Sequence, residues 1–318
     1  MTRLILILSL LPTCITWGQY APAANVAGTT AISKDSSAIV NWASEVHLFE
    51  RGFENIANGL AYASFGTEDE ALGYAEGNST DVVSLGDSGV IVLSFQYPIE
   101  NGAGPDFAVF ENGFGHDYLE LAHVEVSTDG INFVRFPSKS TTQTSTQIGT
   151  FGTSSAEYTN NLAGKYIQGY GTPFDLNELS DSSQLNLDSI NYVKIIDVVG
   201  SIDPAYGTYD SQGALINDPY PTEFEPGGFD LDGVAVLHEN NIFASTIESH
   251  NALKIFPNPT KDLVYLQGYS GQVELYDLAG KKLKEMHIEQ GQSISLGGYQ
   301  SGIYLLKVGG ELIKISKL

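Results

Sequence analysis

Cysteine, basic residues and long apolar runs are all scarce in this chain of 318 residues. The single cysteine is Cys14, close to the N-terminus. A chain cleaved after it carries no disulfide, so its stability comes from packing or from a bound ion. Lys and Arg number 15 against 38 Asp and Glu, a formal net charge of −23. Nucleic acid and anionic membrane surfaces both demand a basic stripe, and the sequence has none, which argues against either partner. No stretch approaches the ~20 apolar residues of a transmembrane helix. The HExxH, GxSxG, Walker and GxGxxG signatures are missing as well. What the chain does have is apolar area. Hydrophobic residues make up 42% and charged residues only 17%, with 17 Tyr and 15 Phe, a composition that folds rather than stays disordered.

The acidity is unevenly placed. Residues 20–245 carry 31 acids and 6 bases, a net −25, whereas residues 246–318 carry 7 acids and 8 bases, a net +1. Two units with different tasks are expected. Ahead of them, Arg3 followed by Leu4 to Leu11 describes a secretory signal peptide over residues 1–19, too short to span a bilayer. Leu11-Pro12-Thr13-Cys14 also has the outline of a lipoprotein cleavage site, with Thr13 a poor fit to it.

Between residues 80 and 245, strand signals are dense. Val90–Phe95, Phe107–Phe110, His123–Ser127, Tyr192–Val199 and Leu231–His238 are short, β-branched or aromatic, and bounded by Gly, Asp, Asn or Pro. Ser127–Phe133 predicts a hairpin turning on Asp129-Gly130. Helical periodicity is weak, with candidates only over Glu45–Ala61 and Asp175–Leu179. The expectation is an all-β chain: a jelly-roll-like β-sandwich passenger over 20–240, a linker over 241–252 and a small antiparallel sandwich over 253–318. The polar segments 137–163 and 201–228 are long for loops inside a compact β domain, which marks them as functional or mobile.

Two acidic runs stand out in the passenger, Gly104–Gly113 and Gly227–Val234. Strand alternation places Asp230 and Asp232 on one face, about 7 Å apart, where two carboxylates repel unless a cation or hydrogen-bond donors intervene. Asp106, Glu111, Asn112, Asp230 and Asp232 are therefore candidate ligands for Ca²⁺, which takes six to eight oxygens from carboxylates, amides and carbonyls. The competing reading has Asp106, Asp230 and Asp232 accepting backbone amides in turns. Asp197, within Ile195-Ile196-Asp197-Val198, is a further candidate ligand or a half-buried acid with a local donor. Tyr166, Tyr170, Phe174, Tyr206, Tyr209 and Tyr220 either stack on a flat ligand or pack over the sandwich edge.

The tail contains Lys254-Ile255-Phe256-Pro257-Asn258-Pro259, then Val273–Leu283, then Ser301–Val308, and ends in Ile313–Leu318. In content, order and position these resemble the C-terminal sorting domain of type IX secretion cargo, used by Bacteroidetes-type Gram-negative bacteria. The resemblance implies export across the outer membrane, engagement of the type IX machinery, and release or attachment at the cell surface. In the passenger, Asp106–Phe114, Glu125–Phe133 and Gly227–Val234 resemble a family of bacterial cell-surface proteins with "DF-VFENGF", "EVS-DG-NF" and "GGFDLD-V" motifs. Some members of that family are associated with corrinoid uptake, which implies capture of a corrinoid or other small ligand; no corrinoid-contacting residue maps onto this chain.

Enzyme signals are weak. Gly86-Asp87-Ser88-Gly89 has the letters of a serine-protease nucleophile, but no matching histidine motif accompanies it, and a turn before Val90 accounts for it. Three readings stay open: a non-catalytic binding protein for a corrinoid or glycan, a polysaccharide hydrolase built on two spaced carboxyls, and a structural or adhesive surface protein.

Overall fold

The structure is a computed structural model that describes residues 20–241, 254–267, 269–278, 280–289, 292–308 and 311–318. The signal peptide expected over residues 1–19, with Cys14, and all but the first residue of the expected linker lie outside the described residues. The chain divides into two compact units, Met1–Asn240 and Asn241–Leu318.

The first unit is built on seven principal strands: β1 (Asn41–Glu50), β2 (Val90–Ile99), β3 (Phe107–Glu111), β4 (Ala122–Ser127), β5 (Tyr170–Phe174), β6 (Ile190–Asp197) and β7 (Asp230–Val236). Their order in space is β5-β3-β7-β1-β2-β6-β4, and every neighbouring pair is antiparallel. The sheet curls at β1. Its first residues pair with β7, Trp42 opposite Ala235, and from Ala43 onward it pairs with β2, with two register shifts on the way. Such irregularities bend a strand, and here the bend folds one half of the sheet over the other.

The core lies between the halves. Phe107 and Val109 on β3, Phe174 on β5 and Val234 and Val236 on β7 face Ile91 and Leu93 on β2, Val124 and Val126 on β4 and Val193 and Ile195 on β6. Each pair is two residues apart, as the strand period requires. Phe107 stacks on Phe174 at 5.3 Å, and Phe136 closes an aromatic trio with both. Phe107→Ala would empty this trio at a cost of about 3–5 kcal/mol. The outer face of β3 and β7 is also covered, because Ala108, Phe110 and Ala235 pack under Trp42, Ile32 and Ile39.

The weak helical candidate over Glu45–Ala61 does not form a helix. Glu45–Glu50 continues β1, because Val46 and Phe49 gain burial against the core only from an extended chain. Asp175 does begin a helical turn, a 3-10 turn over Leu176–Leu179, and its carboxylate accepts the Asn177 amide at 2.9 Å. The expected hairpin forms, with Val134–Arg135 pairing back on β4 and the Ser127 and Asp129 side chains gathering the turn's amides.

The second unit carries β8 (Lys254–Phe256), β9 (Leu263–Gln267), β10 (Gly271–Tyr276), β11 (Lys282–Ile288), β12 (Ser293–Ser295), β13 (Gly302–Val308) and β14 (Glu311–Lys317). They form two antiparallel sheets, β8-β9-β12 and β11-β10-β13-β14. Val264, Leu266, Val273, Leu275, Leu306, Val308 and Ile315 fill its own core.

Candidate functional site

Antiparallel order brings the end of β3, the end of β6 and the start of β7 to one end of the passenger. Each of these termini carries an acid: Glu111, Asp197 and Asp230. Glu120, just before β4, and Asp218, from the long loop ahead of β7, complete a floor of five buried carboxyl groups. The Gly227-Gly228 turn makes this approach possible. Gly228 has φ +73°, and a side chain there would meet Asp197 Oδ1 at 2.7 Å and the backbone of Gly86 at 3.0 Å. With only hydrogen at that position, the Phe229 amide reaches Asp197 Oδ1 at 2.8 Å.

The five acids differ in how well they are satisfied. Asp197 accepts the amides of Ser88 and Phe229, and Asp218 accepts that of Leu121. Asp230 takes the Ser84 hydroxyl and the Asn112 side chain. Glu111 Oε2 and Asn112 Oδ1, by contrast, are buried with no hydrogen-bond partner. Among the described residues, no Lys, Arg or His forms an ion pair with any of the five.

Burial is the first cause raising the pKa of each, since a low-dielectric interior disfavours the charged form. For Glu111 the neighbouring Asp230 adds to it, against the amides of Gly113 and Asn112. Glu120 is pushed up further by Asp230, Glu111, Asp218 and Asp197, and Asp218 by Asp197. Asp87 adds to the effect of burial on Asp197. Asp230 rises to about 6, held back by Ser84 and Asn112.

Of the sequence-derived ligand candidates, Glu111, Asn112 and Asp230 come together. Asp106 stands at the far end of β3, where its carboxylate accepts the amides of Gly102 and Leu176 and contacts His238 Nδ1 at 2.8 Å. Asp232 accepts the amides of Glu76 and Gly77 at 2.9 and 2.8 Å. A register shift explains the parting of Asp230 and Asp232. Leu231 pairs with Glu111 and Gly233 with Phe110, so Asp232 falls in a bulge. Among the described residues, no group of three or more His, Cys, Asp or Glu side chains is drawn together as a metal cluster. Glu120 and Asp218 escaped the sequence reading because neither lies in a strand or a repeated motif.

Near these acids lies a strip of rings, exposed at Phe114, Phe151 and Phe224 and half-buried at Tyr118. Tyr118 is the link between them: burial first, then the charges of Glu120, Glu111, Asp218 and Asp230, raise its pKa. Phe114, 63% exposed, lies 5.9 Å from the Tyr118 ring, and the Tyr118 hydroxyl donates to the Thr150 carbonyl. The next residue, Phe151, is 78% exposed and stacks on Phe224 at 5.8 Å. The two long polar segments thus meet ring to ring. Beside them Tyr220 donates to Asn55, and the side-chain amides of Asn55 and Asn58 both reach Glu223. Tyr206 and Tyr209 are also exposed, but Tyr166 and Phe174 are buried and unable to meet a ligand. A hollow of about 300 Å³ lies within the first loop, lined by Thr141, Thr142, Gln143, Ile148, Thr153, Ser154 and Tyr158.

Residues 254–318 match the family described as the Secretion system C-terminal sorting domain. The protein is exported. Its tail engages the type IX secretion machinery, which places the passenger at the cell surface or outside the cell. Among the described residues, no helix is long and apolar enough to cross a membrane. No curated protein matches the chain. One solved structure that is similar is titled "Biofilm associated protein - BSP domain", at 10% identity and a TM-score of 0.19. The match covers 73% of this chain and 48% of that one, so the chain spans about half the length of its counterpart.

Proposed function

We propose that the passenger is a non-catalytic binding protein of the cell surface that captures a corrinoid or a glycan on its ring-lined end. The observation that carries this reading is the strip Phe114–Tyr118–Phe151–Phe224. Rings contributed by separate loops keep apolar faces in water even where they pack on one another, and they suit a ligand with a flat apolar face. The neighbouring amides of Asn55 and Asn58 and the carboxylate of Glu223 supply the polar contacts that orient such a ligand. The likeness of Asp106–Phe114, Glu125–Phe133 and Gly227–Val234 to surface proteins associated with corrinoid uptake favours a corrinoid among the flat ligands.

The test is calorimetric titration of the full chain with cyanocobalamin and with a panel of soluble oligosaccharides, repeated on Phe151→Ala and Phe224→Ala. Phe151 is 78% and Phe224 41% exposed, and neither belongs to the core, so the variants keep their fold. One ligand class should bind, at least tenfold more weakly in each variant. No binding to either class, or binding indifferent to both variants, overturns the reading. Release of reducing sugar during the titration would establish a hydrolase in its place.

A further inference from the structure

The hollow within the first long polar loop is unused by the reading above. Its volume of about 300 Å³ lies at the lower end of ligand pockets, which run to about 1,000 Å³. Thr141, Thr142, Thr153 and Ser154 bring hydroxyls to its walls, and Ile148 and Tyr158 bring apolar surface. No Asp, Glu, Lys, Arg or His lines it. In a chain with 38 acids, that neutrality sets the hollow apart.

The loop is held in shape from within. Asn217, fully buried, donates to the carbonyls of Gln143 and Thr146 at 2.6 and 2.9 Å and accepts the Ile148 amide at 3.0 Å. The returning arm is tied down by the Ser154 amide on the Asp117 carbonyl, and the Thr141 amide donates across to the Tyr158 carbonyl, both at 2.7 Å. A pocket already formed spares a ligand the cost of ordering it. One contact inside it is incompletely used. Thr142 Oγ1 and Ser154 Oγ stand 3.3 Å apart, longer than the usual hydroxyl pair at about 2.7–2.8 Å. Two hydroxyls carry two protons, and their shared bond uses one. Thr142 is 8% exposed, so a hydroxyl seated in the hollow supplies the missing partner.

We propose that this hollow is a second binding site, which takes one neutral pyranose sugar. Sugar hydroxyls both donate and accept, as the Thr and Ser hydroxyls around them do. The apolar face of the ring has the Tyr158 ring, 46% exposed, to lie against. A carboxylate or phosphate would find no cation here, and a metal ion or ammonium no carboxylate. A corrinoid is too large for the space. The site shares no residue with the ring strip, and it stands whatever ligand that strip takes.

The test is titration of the full chain with the methyl glycosides of glucose, galactose, mannose and N-acetylglucosamine, each alone, by calorimetry and saturation-transfer NMR. At least one should bind, at one sugar per chain, and glucuronate should bind at least tenfold more weakly. Thr142→Val and Ser154→Ala each remove one hydroxyl of the pair, and Tyr158→Ala removes the ring. Each should weaken the binding at least tenfold while circular dichroism stays unchanged, and Phe224→Ala in the ring strip should leave it as in wild type. Absence of binding at tens of millimolar of every glycoside overturns the proposal. So does binding that survives all three hollow variants, or that is lost in Phe224→Ala, since the sugar then sits elsewhere. A failure here leaves the ring-strip reading standing, because that reading is judged on cyanocobalamin and oligosaccharides with the Phe151 and Phe224 variants.

Discussion

Asp106 and Glu111 flank and end the same short strand, and their carboxylates are buried to nearly the same degree in opposite circumstances. Asp106 holds two backbone amides and contacts His238. Glu111 keeps an oxygen with no partner, among other acids. The first is a fastening, joining β3 to the loop before it, to the turn after β5 and to the end of β7. The second belongs to the end of the sandwich that faces the ring strip.

The contrast predicts different responses to mutation. Asp106→Ala removes the acceptor of the buried Leu176 amide and of the Gly102 amide, together with the His238 contact, and should lower stability by about 2–4 kcal/mol, read from urea unfolding. Binding of cyanocobalamin or oligosaccharide by the folded variant should equal that of wild type. Loss of that binding with unchanged stability would contradict the assignment of Asp106 as a fastening.

Acid response should separate His123 from Asp87. Burial, and then Arg135, depresses the His123 ring to about 4. Between about 6.5 and 4 the unfolded chain holds a proton that the folded chain lacks, so His123 withdraws stability as pH falls through that window. Urea melts of His123→Gln should show a shallower loss than wild type from pH 6.5 to 4. An unchanged slope would contradict a neutral buried ring.

Asp87 works with the opposite sign. Burial raises it to about 6, against the Ile56 amide that it accepts at 2.8 Å. Above pH 6 the folded chain bears the full cost of the charge, and the cost fades as pH falls toward the unfolded value near 3.8. Asp87→Asn should therefore be more stable than wild type at pH 7.5, by about 1–2 kcal/mol, and equal to it at pH 4. Asn keeps an oxygen for Ile56. A destabilised variant at pH 7.5 would mean that the charge is paired in solution.

Export is the third property open to direct test. Each compact unit has its own core, so a chain ending at Asn240 should fold and melt cooperatively. In a host with type IX secretion it should stay behind the outer membrane, and fractionation should find it in the periplasm. Surface display of the truncated chain would show that export does not depend on residues 254–318.

Much of this architecture was legible in the sequence because it depends on local chemistry. Five apolar runs became five of the seven principal strands, the Asp129-Gly130 turn formed its hairpin, and the tail's motifs identified its address. Glu111, Asn112 and Asp230 lie at one end of the sandwich, since they end and begin paired strands. Position in space was harder to read. Asp106 and Asp232 carry the same letters as their neighbours, but strand direction sent one to the far end and a bulge turned the other toward Glu76 and Gly77. Glu120 and Asp218 arrive from loops with no periodicity to reveal them. Phe151 and Phe224 are isolated letters in polar segments, and only the folded loops bring their rings together. Tyr166 and Phe174 follow the packing alternative of the sequence reading, because their neighbours in the fold bury them.

The central claim is that the ring-lined end of the passenger does the work. Hydrogen exchange of the full chain, with and without the ligand that binds, cyanocobalamin or oligosaccharide, tests it most directly. Added ligand should slow exchange in the segments around residues 114–118, 150–151 and 220–224, and leave the Asp106–His238 end unchanged. Protection spread evenly over the molecule, or none at all, would contradict the account.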